Sequence, residues 1–165
     1  MKSIYLLLLI VAAINSGAIA QLTGIKNIPG DYASLALAIA DLNAQGVGAG
    51  GVTVNLVAGN SQTTPAGGYV IGNAGNILLG GTNPTAANPV IIQGNGNTIT
   101  AFTPQTSGSL NDAIFKLIGA DYITLTGFTM QENAANTTTT EASNNMTEFG
   151  VALLRASTTN GAQNN

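Results

Sequence analysis

Cysteine and histidine are absent from this 165-residue chain, and charge is scarce. Without cysteine there is no disulfide framework, although an exported chain would be free to use one. Without histidine or cysteine, His- or Cys-ligated zinc and the Ser–His and Cys–His dyads are excluded over these residues. Charged side chains make up 7% of the chain, where about 25% is usual. Four Lys and Arg against seven Asp and Glu leave a formal net charge of −3. Nucleic acid and anionic membrane both need clustered basic residues, so neither is an expected partner. The surface must be made polar by Asn, Thr, Ser and Gln instead, a composition suited to outward ladders of Thr and Asn on stacked strands.

Long apolar runs are missing too, with one exception. Residues 4–14 are uninterruptedly apolar, Lys2 precedes them, and Ala18-Ile19-Ala20 forms an A-x-A cleavage site. The run is shorter than the roughly 20 residues that span a bilayer. Residues 1–20 therefore read as an export signal, with Gln21 the first residue of the mature chain. That chain, residues 21–165, is expected to be secreted or held at the cell surface, with no membrane span of its own.

What is present is organised around residues 112–131, DAIFKLIGADYITLTGFTMQ. Ile123 and Leu125 alternate with Thr124 and Thr126, the period of a half-buried strand. Gly127 then interrupts, and the apolar phase moves to Phe128 and Met130, which predicts a strand, a corner and a second strand. In AIFKLI, turning Lys116 outward places Phe115 and Leu117 inside and leaves Ile114 and Ile118 outside, needing cover from neighbouring loops or a different phase. VALLR poses the same problem at Val151 and Leu153.

Upstream, residues 31–46 carry the one convincing helix. Tyr32, Leu35, Ile39 and Leu42 share a face, Asp31 or Ser34 suits the N-cap, and Gly46 suits the C-terminal end. One apolar stripe on a nearly uncharged helix predicts that it lies against the open end of a stack of strands. Residues 46–51, GVGAGG, read as a turn, and residues 52–56 as an alternating strand. Residues 60–68 read as loop, and residues 69–71, 77–79, 89–93 and 97–101 as further short strands. Gly94 and Gly119 are 25 residues apart, and Ile99 and Ile123 are 24 apart. A period of that size predicts stacked repeats, about four to five turns after the helix. Residues 132–149 are polar and of low complexity, a long loop at one corner of a turn. No closing cap follows residues 151–155, so the chain is expected to be the N-terminal part of a longer protein.

The helix with S-x-x-x-A-I character, the strand GVTVNLVAG and the run DYITLTGFT together resemble a known family. They look like the N-terminal cap and first coils of right-handed parallel β-helices of the pectin-lyase-like superfamily. Residues 30–59 are similar to the start of large secreted surface proteins of Gram-negative bacteria, many of which end in a type IX secretion sorting domain. The resemblance implies an all-β fold, a right-handed parallel β-helix with an N-terminal capping α-helix. It implies a secreted or cell-surface scaffold or adhesin whose partner is a polysaccharide or cell-surface glycan. The alternative it leaves open is the N-terminal part of a polysaccharide lyase or glycoside hydrolase with its active site downstream.

No catalytic, cofactor-binding or metal-ligating residue is assigned from the sequence. Gly46, Gly48 and Gly51 spell G-x-G-x-x-G, but after a helix and before a strand, the reverse of a dinucleotide site. The acids are the only residues that could do polysaccharide chemistry, and the candidates are Asp112, Asp121, Glu132, Glu141 and Glu148. As pairs they could serve as acid and base, and as a group they could hold Ca²⁺. The plainer reading, which we prefer, makes the aspartates corner residues bonding backbone and the glutamates solvated loop charges. The N-T-D, D-D, H-G and R-I-K motifs of the related hydrolases are absent. Asn136-Thr-Thr and Asn145-Met-Thr fit the glycosylation pattern, which a bacterial source would not use. Residues 137–140 are consecutive threonines, as in a loop, without the alternate spacing of an ice-binding face.

Overall fold

The computed structural model describes residues 20–73, 78, 83–109 and 111–165. The export signal expected at residues 1–20 lies outside the described residues apart from Ala20. So does the strand expected at residues 77–79, apart from Leu78, which is buried.

The chain is predominantly β. Among the described residues the strands are β1 (Leu22–Ile28), β2 (Val47–Leu56), β3 (Gln62–Thr63), β4 (Tyr69–Gly72), β5 (Val90–Gln93), β6 (Thr98–Thr100), β7 (Ala113–Ile118), β8 (Ile123–Thr126), β9 (Thr129–Gln131) and β10 (Phe149–Leu154), with one α-helix, α1 (Leu35–Gln45), after β1. They form three sheets ordered β1-β2-β5-β8, β3-β6-β9 and β4-β7-β10. Every pairing between these strands is parallel. Along the chain, β2, β3 and β4 enter the first, second and third sheets in turn. The next three strands repeat that order, and the last three repeat it again.

The register corrects the expected period. Val52 stands opposite Val90, and Val90 opposite Ile123, steps of 38 and 33 residues. Phe115 stands opposite Tyr69 and Val151, steps of 46 and 36. Ile99 is opposite Gln62 and Met130 and is not a partner of Ile123. The 24-residue echo therefore joins strands of different sheets, and three passes replace the expected four to five. Connections of unequal length, residues 101–112 and 132–148, hide the true period.

In-register parallel partners face the same side of a sheet, so the core is a set of rows. Val54 and Ile92 form one, Ile71 and Leu117 another, and Tyr69 and Phe115 a third, all buried. The Tyr69 and Phe115 rings meet at 5.2 Å between centroids, and Phe115 meets Phe128 at 5.7 Å. Burial pushes the Tyr69 phenol up to about 12, so it stays a neutral donor, to the Thr63 carbonyl at 3.3 Å. The phase expected for β7 holds: Phe115 and Leu117 are inside and Lys116 is half-buried. Ile114 is buried nonetheless, because Met130 and Thr147 line the same recess over it.

The helix begins four residues later than expected. Ser34 is the N-cap, its Oγ accepting the Leu37 N–H at 3.3 Å, while Asp31 closes the preceding turn by accepting the Asn27 N–H at 2.7 Å. Gly46 ends the helix at φ 72°, a left-handed angle that favours glycine. Leu35, Ala38, Ile39 and Leu42 are buried. Tyr32 sits before the helix, and its hydroxyl donates to Asp41. Two side chains, Asn43 and Gln62, tie α1 to strand edges through three bonds. Asn43 Nδ2 donates to the Val70 carbonyl and its Oδ1 accepts the Gly72 N–H, both at 2.8 Å. Gln62 Oε1 of β3 accepts the Leu35 N–H at 3.4 Å.

The turn expected at residues 46–51 and the loop expected at residues 60–68 both contain strand, the latter as β3. Residues 22–28 form β1 along the edge of β2, and residues 47–51 are the start of β2 itself. The glycines there form a bulge: Leu22 is opposite Val47 but Gly24 is opposite Val52. Extra residues on one strand of a pair are the definition of a bulge, and glycine tolerates the angles it needs.

Candidate functional site

Both long connections leave the second sheet and enter the third, so they stack at one corner. Asn133 Nδ2 donates to the Ala101 carbonyl at 3.2 Å, and Asn136 Nδ2 to the Phe102 carbonyl at 2.8 Å. The Gly108 N–H donates to the Asn144 carbonyl at 2.9 Å, and Gln105 Nε2 to Thr147 Oγ1 at 3.0 Å. The low-complexity stretch is thus an ordered lobe laid on the connection below it. Functional residues concentrate on such loops when a rigid scaffold positions them.

Glu132 fastens the lobe. Its carboxylate accepts the Thr147 N–H at 2.5 Å, the Asn133 N–H at 2.7 Å, Asn136 Nδ2 at 2.8 Å and the Thr147 hydroxyl at 3.3 Å. Partial burial pulls its pKa upward, but the hydrogen bonds from Thr147, Asn136 and Asn133 together outweigh burial and hold it below the ordinary value. A carboxylate kept ionised with both oxygens engaged is a poor general acid. Glu148 does similar work, accepting the Asp112 N–H at 3.2 Å and Asn144 Nδ2 at 2.7 Å. Both glutamates are thus structural fasteners where solvated loop charges were expected.

Asp121 Oδ1 accepts the Gln163 N–H at 2.6 Å, a bond to distant backbone rather than to that of its own corner. Glu141 is exposed in a single 3-10 turn, Glu141–Ser143. Asp112 is buried at 4% exposure. Among the described residues, no group of three or more His, Cys, Asp or Glu is placed to share a metal ion. None of their helices is long and apolar enough to cross a membrane.

Beside the lobe is a 140 Å³ recess whose rim includes Met130, Gln131, Glu132, Thr147 and Phe149. Phe149 is 46% exposed and offers an aromatic surface. Next to it runs a polar row across the second sheet. Thr63 is opposite Thr100, Thr100 is opposite Gln131, and Gln131 Nε2 donates to Thr100 Oγ1 at 3.0 Å. A second ladder crosses the first sheet: Asn55 Nδ2 donates to Asn27 Oδ1 and Asn95 Nδ2 to Asn55 Oδ1, each at 2.8 Å. Asn95 holds φ 50°, a left-handed angle that asparagine tolerates better than most residues. Ladders of this kind match the expectation from composition. Sequence reasoning missed Gln131, Thr147 and Phe149 as neighbours because they come together only through the register of β9 with β6 and of β10 with β7.

Comparison with known proteins returns no matching family, no matching curated protein and no matching solved structure.

Proposed function

We propose that residues 21–165 are the helix-capped start of a right-handed parallel β-helix of the pectin-lyase-like kind. The protein is exported and acts outside the cell or on its surface as a non-catalytic, adhesin-like scaffold that binds glycan at the corner lobe. The observation that carries this reading is the recurrence of strands through the same three parallel sheets in the same order. Bonds from Asn43 and Gln62 between α1 and the edges of β4 and β3 support the role of the helix as a cap. Sugars present hydroxyls and apolar ring faces. An exposed Phe149 beside Gln131, Thr100 and the rim of the recess offers matching groups, an apolar surface with a few placed polar atoms.

The test is binding of the exported chain to a panel of neutral and acidic polysaccharides, followed by calorimetry on any that bind. Phe149→Ser is expected to weaken binding at least about tenfold, a change of ~1.4 kcal/mol, with the melting temperature unchanged. Failure of the unaltered chain to bind any member of the panel would remove the glycan reading. No new reducing ends or unsaturated products are expected. Turnover abolished by Asp121→Asn or Glu132→Gln would favour the lyase or hydrolase reading.

A further inference from the structure

Two Asn-Gly pairs occur in the chain, Asn95-Gly96 and Asn160-Gly161. In such a pair the glycine nitrogen can turn onto the side-chain carbonyl of the asparagine, because glycine has no Cβ to obstruct it. Exposure alone would single out Asn95, which is exposed, over Asn160, which is half-buried. Hydrogen bonding points the other way. Asn95 Nδ2 donates to Asn55 Oδ1 at 2.8 Å and to the Leu56 carbonyl at 2.7 Å, and Asn95 Oδ1 accepts from Gln93 Nε2 at 2.9 Å. The Gly96 N–H is engaged as well, donating to the Gly127 carbonyl at 2.8 Å. Both partners of an attack by Gly96 on the Asn95 side chain are therefore tied down.

Asn160 is held by its backbone instead. Its carbonyl accepts the Ala156 N–H at 2.8 Å and the Ser157 N–H at 3.3 Å, and its own N–H donates to the Ser157 carbonyl at 3.4 Å. Among the described residues nothing bonds its side-chain amide or the Gly161 N–H. Asn160 Cγ packs over Gly119, 3.5 Å from where a Cβ would stand, so the bare glycine leaves the amide room to rotate. A 310 Å³ cleft lined by Arg155, Thr158, Thr159 and Gly161, among others, brings water to the pair.

From this contrast we propose that Asn160-Gly161 is a self-modifying site, at which the folded chain deamidates while Asn95-Gly96 is preserved. The Gly161 nitrogen gives up its proton and attacks Asn160 Cγ. The new N–Cγ bond closes a cyclic imide, the Cγ–Nδ2 bond breaks, and Nδ2 leaves as ammonia with a proton that balances the one Gly161 lost. Water then opens the imide at either carbonyl. One opening leaves an aspartate in place of Asn160, and the other an isoaspartate, whose backbone runs through the former side chain. Either product adds a negative charge. The isoaspartate also lengthens the backbone of a turn closed by the Ala156 and Ser157 bonds, and so loosens the chain that follows β10. This inference rests on hydrogen bonding in two loops and is independent of glycan binding.

The experiment follows the folded chain in mildly alkaline buffer by peptide mapping with mass spectrometry, and repeats the course in denaturant. In the folded chain Asn160 is expected to convert at least about tenfold faster than Asn95, since each bond that Asn95 and Gly96 must break adds to the barrier there. In denaturant the two rates should converge, because both pairs are then free of the fold. Gly161→Ala fits the site, its new Cβ lying 3.7 Å from Arg155 Cγ. It is expected to slow conversion at Asn160 by tenfold or more with the melting temperature unchanged. Asn95 converting as fast as Asn160 in the folded chain overturns the proposal, and so does Asn160 staying intact while the denatured chain converts. A rate difference that persists in denaturant overturns the hydrogen-bond argument, because neighbouring sequence then sets it. Aspartate as the sole product, or Gly161→Ala converting at the parental rate, overturns the imide route.

Discussion

Asn43 of α1 holds the free edge of β4 at Val70: its Nδ2 donates to the Val70 carbonyl at 2.8 Å. The same side chain accepts the Gly72 N–H at 2.8 Å, so one amide satisfies a donor and an acceptor that β7 does not reach. An unpaired edge is a template for association, and here a helix side chain stands in for the missing strand. Asn43→Ala leaves both backbone groups without that partner. The expected cost is about 1–3 kcal/mol, read as a lower melting temperature and faster exchange at Gly72. Asn43→Asp, which keeps the acceptor but not the donor, should restore protection at Gly72 only. Unchanged stability in Asn43→Ala would show that water replaces the amide at no cost.

Local chemistry explains why parts of this architecture are legible in the sequence. The helix is readable because Ser34, Leu35, Ile39, Leu42 and Gly46 each carry a local signal: a cap, a stripe or a left-handed terminus. The strand–corner–strand of β8 and β9 is readable for the same reason, with Gly127 at φ 71° between two short alternating runs. The period is not readable. Which strand Ile123 meets depends on how long the intervening connections are, and those connections carry no apolar pattern. Strand β3 is two residues long, Gln62 and Thr63, and no periodicity can be detected over two residues. The lobe escapes for a different reason. Its order comes from Asn and Glu side chains bonding backbone in another turn, and composition alone reads those residues as solvated.

The rings of Tyr69, Phe115 and Phe128 form a cluster within the core. Phe115 is fully buried and touches both Tyr69 and Phe128, one ring from the preceding turn and one from the following turn. Phe115→Ala should cost about 3–5 kcal/mol. Because Phe115 links successive turns, the loss should appear as one cooperative transition at lower temperature. A variant that keeps its melting temperature would place these contacts outside the cooperative core. Phe115→Leu, which refills much of the space, should lose less.

The proposed export makes a prediction at a single bond. If residues 1–20 are an export signal, the A-x-A context at Ala18 and Ala20 puts cleavage after Ala20. Leu22 begins β1 and is 3% exposed, so the fold starts within two residues of the new terminus. N-terminal sequencing of exported protein should therefore begin at Gln21. A start downstream of Leu22 would remove residues that pair with Val47 and would contradict the reading. Ala20→Lys should block cleavage and leave the precursor uncut.

The last prediction concerns pH. Glu132 is partly buried, which alone would raise its pKa, but bonds from Thr147, Asn136 and Asn133 hold it below the ordinary value. In the unfolded chain a glutamate titrates near ~4.3. The folded pKa is therefore the lower of the two, and the ionised form binds the lobe more strongly than the protonated form. Linkage then sets the sign: Glu132 contributes stability that is fully present above the unfolded pKa and is lost as pH falls through the folded one. Glu132→Gln keeps one acceptor oxygen but loses the charge that strengthens the bonds from Thr147. At pH 7 the variant should be less stable by about 0.5–1.5 kcal/mol, because solvent screens part of the charge on this partly buried group. The gap between variant and parent should narrow as pH falls below the unfolded value and close once pH passes the lower, folded one, because the parent carboxyl is then protonated as well. Melting temperatures of both chains from pH 7 to pH 3 measure this directly. A gap that stays constant across the range would mean that the carboxylate charge is not what fastens Thr147, and that shape alone holds the lobe against the second and third sheets.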